Sequence, residues 1–292
     1  MGSLKEIKNR ITSISSTMQI TSAMKMVSAA KLKRAQDAIT QMRPYAEKLQ
    51  EILGNLSSTL DLSENAYSEQ RTVKNAYIIA ITSNRGLCGG FNNNIIKRVN
   101  ALLNDSEYTN YNTKVIAVGK KVNDAFKGSE ASYRPEGTGG AEEMFNDLTF
   151  ERSSELAQFL MSEFEAGKVD KVVLIYNKFK NAAVQEVMTE QFLPIVANES
   201  EEEASAGDYI FEPSKAEIVE DLIPKSLKIQ LFKALLDSNA SEHGARMTAM
   251  HKATDNASEL KRTLTLEYNK ARQAAITNEI LEIVGGAEAL NG

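Results

Sequence analysis

The sixty residues from Lys225 to Val284 contain no proline and only one glycine, Gly244. A run so poor in breakers has little choice but helix. Along it Ile229, Phe232, Leu236, Met250, Ala253, Ala257, Leu260, Leu264, Ala271, Ala274 and Leu281 follow heptad steps, with polar interruptions around Asn239 and His243. Ser214 and Glu217 have capping-box spacing ahead of it, Pro224 is read as an interruption or restart, and Gly285-Gly286 as the stop. Such a helix reaches roughly 90 Å. The opposite end of the chain behaves the same way. Ser3 and Glu6 form a capping box, and Leu4, Ile7, Ile11, Ile14 and Met18 repeat at alternating steps of three and four. The phase then shifts to Ile20, Met24, Val27 and Leu32, with a kink or local end expected at Pro44 before the pattern resumes through Leu49, Ile52, Leu53 and Leu56. Two narrow seams of similar length bury each other as a long antiparallel, left-handed two-helix coiled coil formed by the N- and C-terminal segments. The divisions are 1–58, 70–213 and 214–292. A thin seam leaves most of each helix exposed unless another protein surrounds it, so the pair reads as a polar shaft built to reach something.

The charge is as uneven as the breakers. The net charge is −5, yet residues 1–43 carry eight Lys/Arg against Glu6 and Asp37, while 44–212 are net −10. Lys25, Lys31, Lys33 and Arg34 form a basic stripe without the interleaved aromatics that stack on bases, which points to an acidic protein partner and no nucleic acid. Met18, Met24, Met26, Met42, Met247 and Met250 are read as filling irregular gaps along the arms. Cys88 is the single cysteine, which excludes an internal disulfide framework. No apolar run approaches the roughly 18 residues of a spanning helix, the start lacks an apolar signal core, and Glu6 stands where a myristoylation motif wants Ser or Thr.

Ten of the 16 glycines fall between Gly86 and Gly207, so the centre is a different kind of structure. Tyr77–Thr82, Lys114–Val118 and Lys171–Tyr176 are β-rich apolar runs, and helical patterns lie between them at Asn94–Leu103 and Ser153–Glu165. That alternation predicts a parallel, Rossmann-like α/β domain, with Val184–Leu193 adding a strand and Glu199–Glu203 a solvated loop. Directly after the first strand stands Ser83-Asn84-Arg85-Gly86-Leu87-Cys88-Gly89-Gly90-Phe91-Asn92. Glycine-rich turns in that place often hold phosphates, but neither GxGxxG nor Gly-Lys-Ser/Thr occurs. A tight turn bringing backbone close to a neighbouring element explains it better. No nucleophile–base pairing is visible around Cys88, and His243 and His251, eight apart on one helix, point about 80° from each other, a poor metal pair. Catalytic, cofactor and metal residues are therefore expected to be none. Three readings stay open from the residues alone: a shaft, a nucleotide-binding α/β enzyme with coiled-coil dimerisation arms, and a coiled-coil scaffold.

Three separated segments carry a resemblance. Ile20-Thr21-Ser22-Ala23-Met24-Lys25-Met26-Val27-Ser28-Ala29-Ala30-Lys31, Arg85–Asn92, and the stretch with Glu242–Met250, Ala253–Ala257, Ile276-Thr277-Asn278-Glu279, Glu282 and Gly286-Ala287 are similar to motifs of the gamma subunit of bacterial F-type ATP synthase, in order over essentially the whole chain. The resemblance implies a rotor shaft, one copy per complex, whose coiled coil enters a hexamer of alpha and beta subunits. Its central domain meets the epsilon subunit and the membrane c ring. Catalysis would lie on the beta subunits, and the chain would be peripheral at the cytoplasmic face of the bacterial membrane. By position, Met24, Lys25, Arg246, Arg272, Gln273, Thr277 and Glu279 fall in segments that meet the beta subunits. Glu242 and Glu282 are interface or solvated charges. Arg85, Gly86, Cys88, Gly89 and Gly90 form a central-domain turn, expected near the foot of the shaft. Asn278 stands where many relatives have glutamine, and the absence of a second cysteine rules out the thiol switch of chloroplast members. With no transit peptide in view, a bacterial origin is favoured.

Overall fold

The computed structural model describes residues 4–57, 66–135, 140–195 and 215–291. Ser3, Ser214 and the acidic run 199–203 lie outside these. The elements are α1 (Leu4–Ser57), β1 (Asn75–Ile81), α2 (Phe91–Leu103), β2 (Asn112–Val118), α3 (Lys120–Phe126), β3 (Ser132–Tyr133), α4 (Phe150–Glu165), β4 (Lys171–Phe179), β5 (Gln185–Leu193) and α5 (Lys215–Asn291). The chain divides into two compact bodies, Met1–Ser28 with Met247–Gly292, and Ala29–Arg246.

Helix α1 runs 54 residues and continues through Pro44, so no local end occurs there. Proline costs a helix interior about 3 kcal/mol. Pro44 is exposed, while Ile39, Ala46 and Leu49 on either side stay buried and hold the helix on course. The α1 seam also differs from the apolar-only reading. Leu4, Ile7, Ile11, Ile14, Met18, Thr21, Lys25, Ser28, Leu32, Ala35, Ile39, Met42, Ala46 and Leu49 are all buried or half-buried, a heptad series with no phase shift. Ile20 and Val27, expected in the seam, are 60% and 57% exposed.

In the first body the two helices run antiparallel. Lys261 Nζ donates to Ser15 Oγ at 3.2 Å, the Thr21 and Thr254 hydroxyls meet at 2.8 Å, and Lys25 Nζ approaches His251 Nδ1 at 3.4 Å. As numbers rise on α1 they fall on α5. The α5 seam here is Met250, Thr254, Ala257, Lys261, Leu264, Tyr268, Ala271 and Ala275, again strict heptad steps. Leu260 and Leu281, placed in the seam by sequence, are exposed. Beyond Ala275 every described side chain as far as Ala287 is exposed. Gly285 and Gly286 do not stop the helix, which continues to Asn291. A helical glycine costs only about 1 kcal/mol, and Ala287-Glu288-Ala289-Leu290 are strong helix formers.

The second body is built on a five-stranded sheet of order β3-β2-β1-β4-β5. Four strands are parallel and β5 is antiparallel to β4, so the sheet is mixed. The connection from Phe179 to Gln185 is a hairpin, too short for the crossover that a parallel partner needs. Successive β1 side chains alternate between two cores. Tyr77, Ile79 and Ile81 pack with α4 through Leu156, Leu160 and Phe164, and with α5 through Leu227, Leu231 and Leu235. Ala76, Ile78 and Ala80 pack with Ile95 and Val99 of α2 and Val122 of α3. Burial on both faces explains the uninterrupted apolar run of this strand. On its far side α5 meets α1, with Ile229 against Ala46 and Leu49. Buried on two sides, α5 is far from a polar shaft in this stretch. Pro224 stands inside it between buried Ile223 and Leu227, and the helix is one run from Lys215.

Candidate functional site

Order β3-β2-β1-β4-β5 places a topological switch between β1, which leads on to β2, and its other neighbour β4. The crevice beyond the carboxyl ends of such strands is where open α/β sheets hold ligands. In this chain its own residues fill it. Ser83 N and Oγ lie 2.9 and 3.0 Å from Asn92 Oδ1, and Asn92 Nδ2 donates to Cys88 Sγ at 3.1 Å. The α3 N-terminal donors are spent on the same turn. Lys120 N donates to Asn84 Oδ1 (3.1 Å), Lys121 N to Ser83 O (3.2 Å) and Val122 N to Thr82 Oγ1 (3.0 Å).

Helix α5 closes the crevice from above. Arg246 Nη2 donates to Arg85 O at 3.1 Å and Gly86 O at 3.2 Å, and its Nε to Gly86 O at 3.4 Å. Its Nη1 serves Glu242 Oε1 and, at 3.4 Å, His243 Nδ1. Ser241 Oγ donates to Asn177 O at 3.0 Å, and Asn177 Nδ2 to Phe91 O at 3.3 Å. A Cβ on Gly244 would lie 3.2 Å from Ala182 Cα, so a glycine at this point of the long helix lets it approach the β4–β5 hairpin. Cys88 packs with Phe91 and Ala245. Burial pushes its thiol up, away from the reactive thiolate. Burial, with Arg246 and Lys31 nearby, pushes His243 down to about 4, and burial raises the Glu242 carboxyl against the pull of Arg246. Glu242 is therefore neither solvated nor a surface contact: it is 7% exposed and paired. These groups hold two elements together and leave no activated nucleophile and no cradle for a phosphate.

A family model described as ATP synthase matches residues 3–290. The ATP synthase gamma chain of Flavobacterium johnsoniae is 63% identical over 294 residues, covering all of both chains, and that of Christiangramia forsetii is 61% identical over 293, also in full. The chain belongs to the ATP synthase gamma-chain family. The gamma chain of Geobacter metallireducens, 44% identical, also aligns over the full length of both chains. Among solved structures, a chain of the Euglena gracilis mitochondrial ATP synthase (OSCP, F1 and c ring) superposes with a TM-score of 0.66 at 23% identity, covering 98% of this chain and 94% of that one, and so shares the fold.

In this gamma-family chain the residues singled out by sequence fall in three places. Arg246 and the Arg85–Gly90 turn, read as separate features, form one constellation, in which Arg246 and Cys88 are buried and Arg85, Gly86, Leu87, Gly89 and Gly90 are exposed. Met24 and Lys25 are half-buried on α1, where Met24 O accepts from Ser28 Oγ at 2.8 Å and Lys25 faces His251. Arg272, Gln273, Thr277 and Glu279 are exposed on α5, and Thr277 Oγ1 donates back to Gln273 O at 2.9 Å. The sequence motif included Asn92 but not its bonds to Ser83 and Cys88, and sequence reasoning missed Ser241 and Asn177 altogether. The only local hint was Glu242 four residues before Arg246, the spacing of a helical ion pair.

Proposed function

We propose that the chain is the central rotor shaft of a proton-translocating F-type ATP synthase. It couples rotation of the membrane c ring to conformational change at catalytic sites on the beta subunits, reversibly, so that ATP hydrolysis can drive proton pumping. One observation carries the reading beyond family membership. From Ile276 to Ala287 every side chain of helix α5 is exposed, so no described α1 residue covers it, yet Ile276, Ile280, Ile283 and Val284 lie on one face of it and are all about half exposed or more, with Ile283 at 71%. A single helix of this length is marginal in water. Its apolar face calls for a surrounding protein, as a shaft end inside a hexamer of alpha and beta subunits would have.

On this reading Met24, Lys25, Arg246, Arg272, Gln273, Thr277 and Glu279 lie in segments that turn against the beta subunits, and the sheet body meets epsilon and the c ring. The chain supplies no catalytic group. None of its described helices is long and apolar enough to cross a membrane, and it works as a peripheral part at the cytoplasmic face of the bacterial membrane. The filled switch-point crevice speaks against the nucleotide-enzyme alternative. Co-purification tests the proposal: the tagged chain is expected to bring down alpha and beta at about one copy to three and three. A lone homodimer, or nucleotide binding by the isolated chain, would overturn it.

A further inference from the structure

The turn between β1 and α2 is a poor structure by itself. Leu87 is at φ +63 and Gly89 at +60, and a Cβ at Gly86 or Gly89 would touch nothing within 4 Å. A non-glycine residue in the left-handed region persists only where its surroundings over-determine it. Two carbonyls of the turn, Arg85 O and Gly86 O, accept from Arg246, 160 residues further along the chain. The guanidinium is spent on this job. Its five N–H groups match five acceptor contacts: two carbonyls through Nη2, Gly86 O through Nε, and Glu242 and His243 through Nη1. It is 7% exposed. Below it, Cys88 is 1% exposed between Phe91 and Ala245, while on the outer side Arg85 and Leu87 are exposed.

The geometry points to Arg246 as a positioning residue: it latches the β1–α2 turn onto α5, so that turn and helix move as one body and the turn's outer face is presented rigidly. Arg246 acts through the turn and not as a free surface cation. A planar fork bridging two successive carbonyls is what lysine cannot reproduce. The consequence for torque rests on the rotor reading; the latch itself does not.

Cys88, the chain's one cysteine, reports the latch directly. In the isolated full chain, alkylation of Cys88 by N-ethylmaleimide is expected to rise at least about tenfold in Arg246→Ala, with Arg246→Lys in between. Val99→Ala, which opens a cavity in the sheet core on α2, should leave the rate near wild type, so general destabilisation is separated from latch opening. Hydrogen exchange at Leu87–Gly90 gives a second readout should thermal unfolding show the Ala variant to be poorly folded; there the Lys variant alone must show faster exchange. Labelling unchanged in Arg246→Ala, or raised equally by Val99→Ala, overturns the latch. In the assembled complex the protons pumped per ATP hydrolysed should fall at least about threefold in Arg246→Ala, with partial recovery in Arg246→Lys. Unchanged coupling with an open turn overturns the positioning role. A wild-type chain that labels as expected but assembles with no alpha or beta subunits overturns the rotor reading and leaves the latch standing.

Discussion

Gly119 shows how tightly the sheet edge is fixed one residue at a time. It sits at φ +94 where β2 passes into α3, and a Cβ there would lie 2.0 Å from Thr82 O. That carbonyl is backbone and cannot swing aside, so Gly119→Ala combines a steric clash with a disfavoured dihedral. It should cost about 3 kcal/mol or more and lower Tm by about 6 °C or more in a melt of the isolated chain. His243 sets a pH dependence. Its folded pKa of about 4 lies below the ordinary 6.5. Between these values the unfolded chain binds the extra proton, so its contribution to stability is lost as pH falls through this window. Glu242, raised by burial, works in the opposite sense, so the histidine is isolated by difference. Between pH about 7 and 4.5 the stability gap between wild type and His243→Asn should move against wild type by about 2 kcal/mol in urea unfolding. A gap independent of pH would mean that His243 titrates normally.

Helix and strand existence was legible because both follow from period and breakers. β1, β2, β4, β5, α2 and α4 stand within a few residues of where alternation and apolar spacing put them. The seams were harder. Counting only apolar residues slid the register to Ile20, Val27 and Leu260, all of which face out. Polar Thr21, Lys25, Ser28, Thr254 and Lys261 take seam positions instead. A two-helix seam is thin enough for a lysine stem to lie in it with its tip in water. Threonine and serine satisfy themselves on their own helix or across it: Ser28 Oγ reaches Met24 O, and the Thr21 and Thr254 hydroxyls bond each other. A polar pair in a seam fixes register, which two smooth apolar stripes do less well. The turn was legible from its glycines, but its partner was not. Arg246 binds backbone carbonyls, and a carbonyl leaves no residue type behind for a reader of sequence.

Taken as one machine part, the chain spreads its work unevenly, and truncation from the C terminus should reveal this in two stages. Removing residues after Gly285 takes away only about the last turn and a half of α5 and should leave assembly with alpha and beta intact. Cutting back through Val284, Ile283, Ile280 and Ile276 removes the apolar face that no described α1 residue covers. Coupling should then weaken step by step while the isolated chain keeps its helix pair, because the seam ends at Ala275. Contacts of this kind suit rotation: individual exposed ion pairs contribute only about 0–1 kcal/mol, so a turning surface meets many shallow holds and no deep one. A chain ending near Asn256 crosses into a different regime. It loses Ala257, Lys261, Leu264, Tyr268, Ala271 and Ala275, the partners of the stretch of α1 before Thr21. Helix content should now drop by more than the deleted residues account for, since an unpaired narrow-seam helix is weakly stable in water. The two stages are separated by measuring ATP-driven proton pumping on the assembled complex and far-UV circular dichroism on the isolated chain. Wild-type torque and ATP synthesis from a chain ending near Asn256 would contradict the assignment of either stage to the shaft.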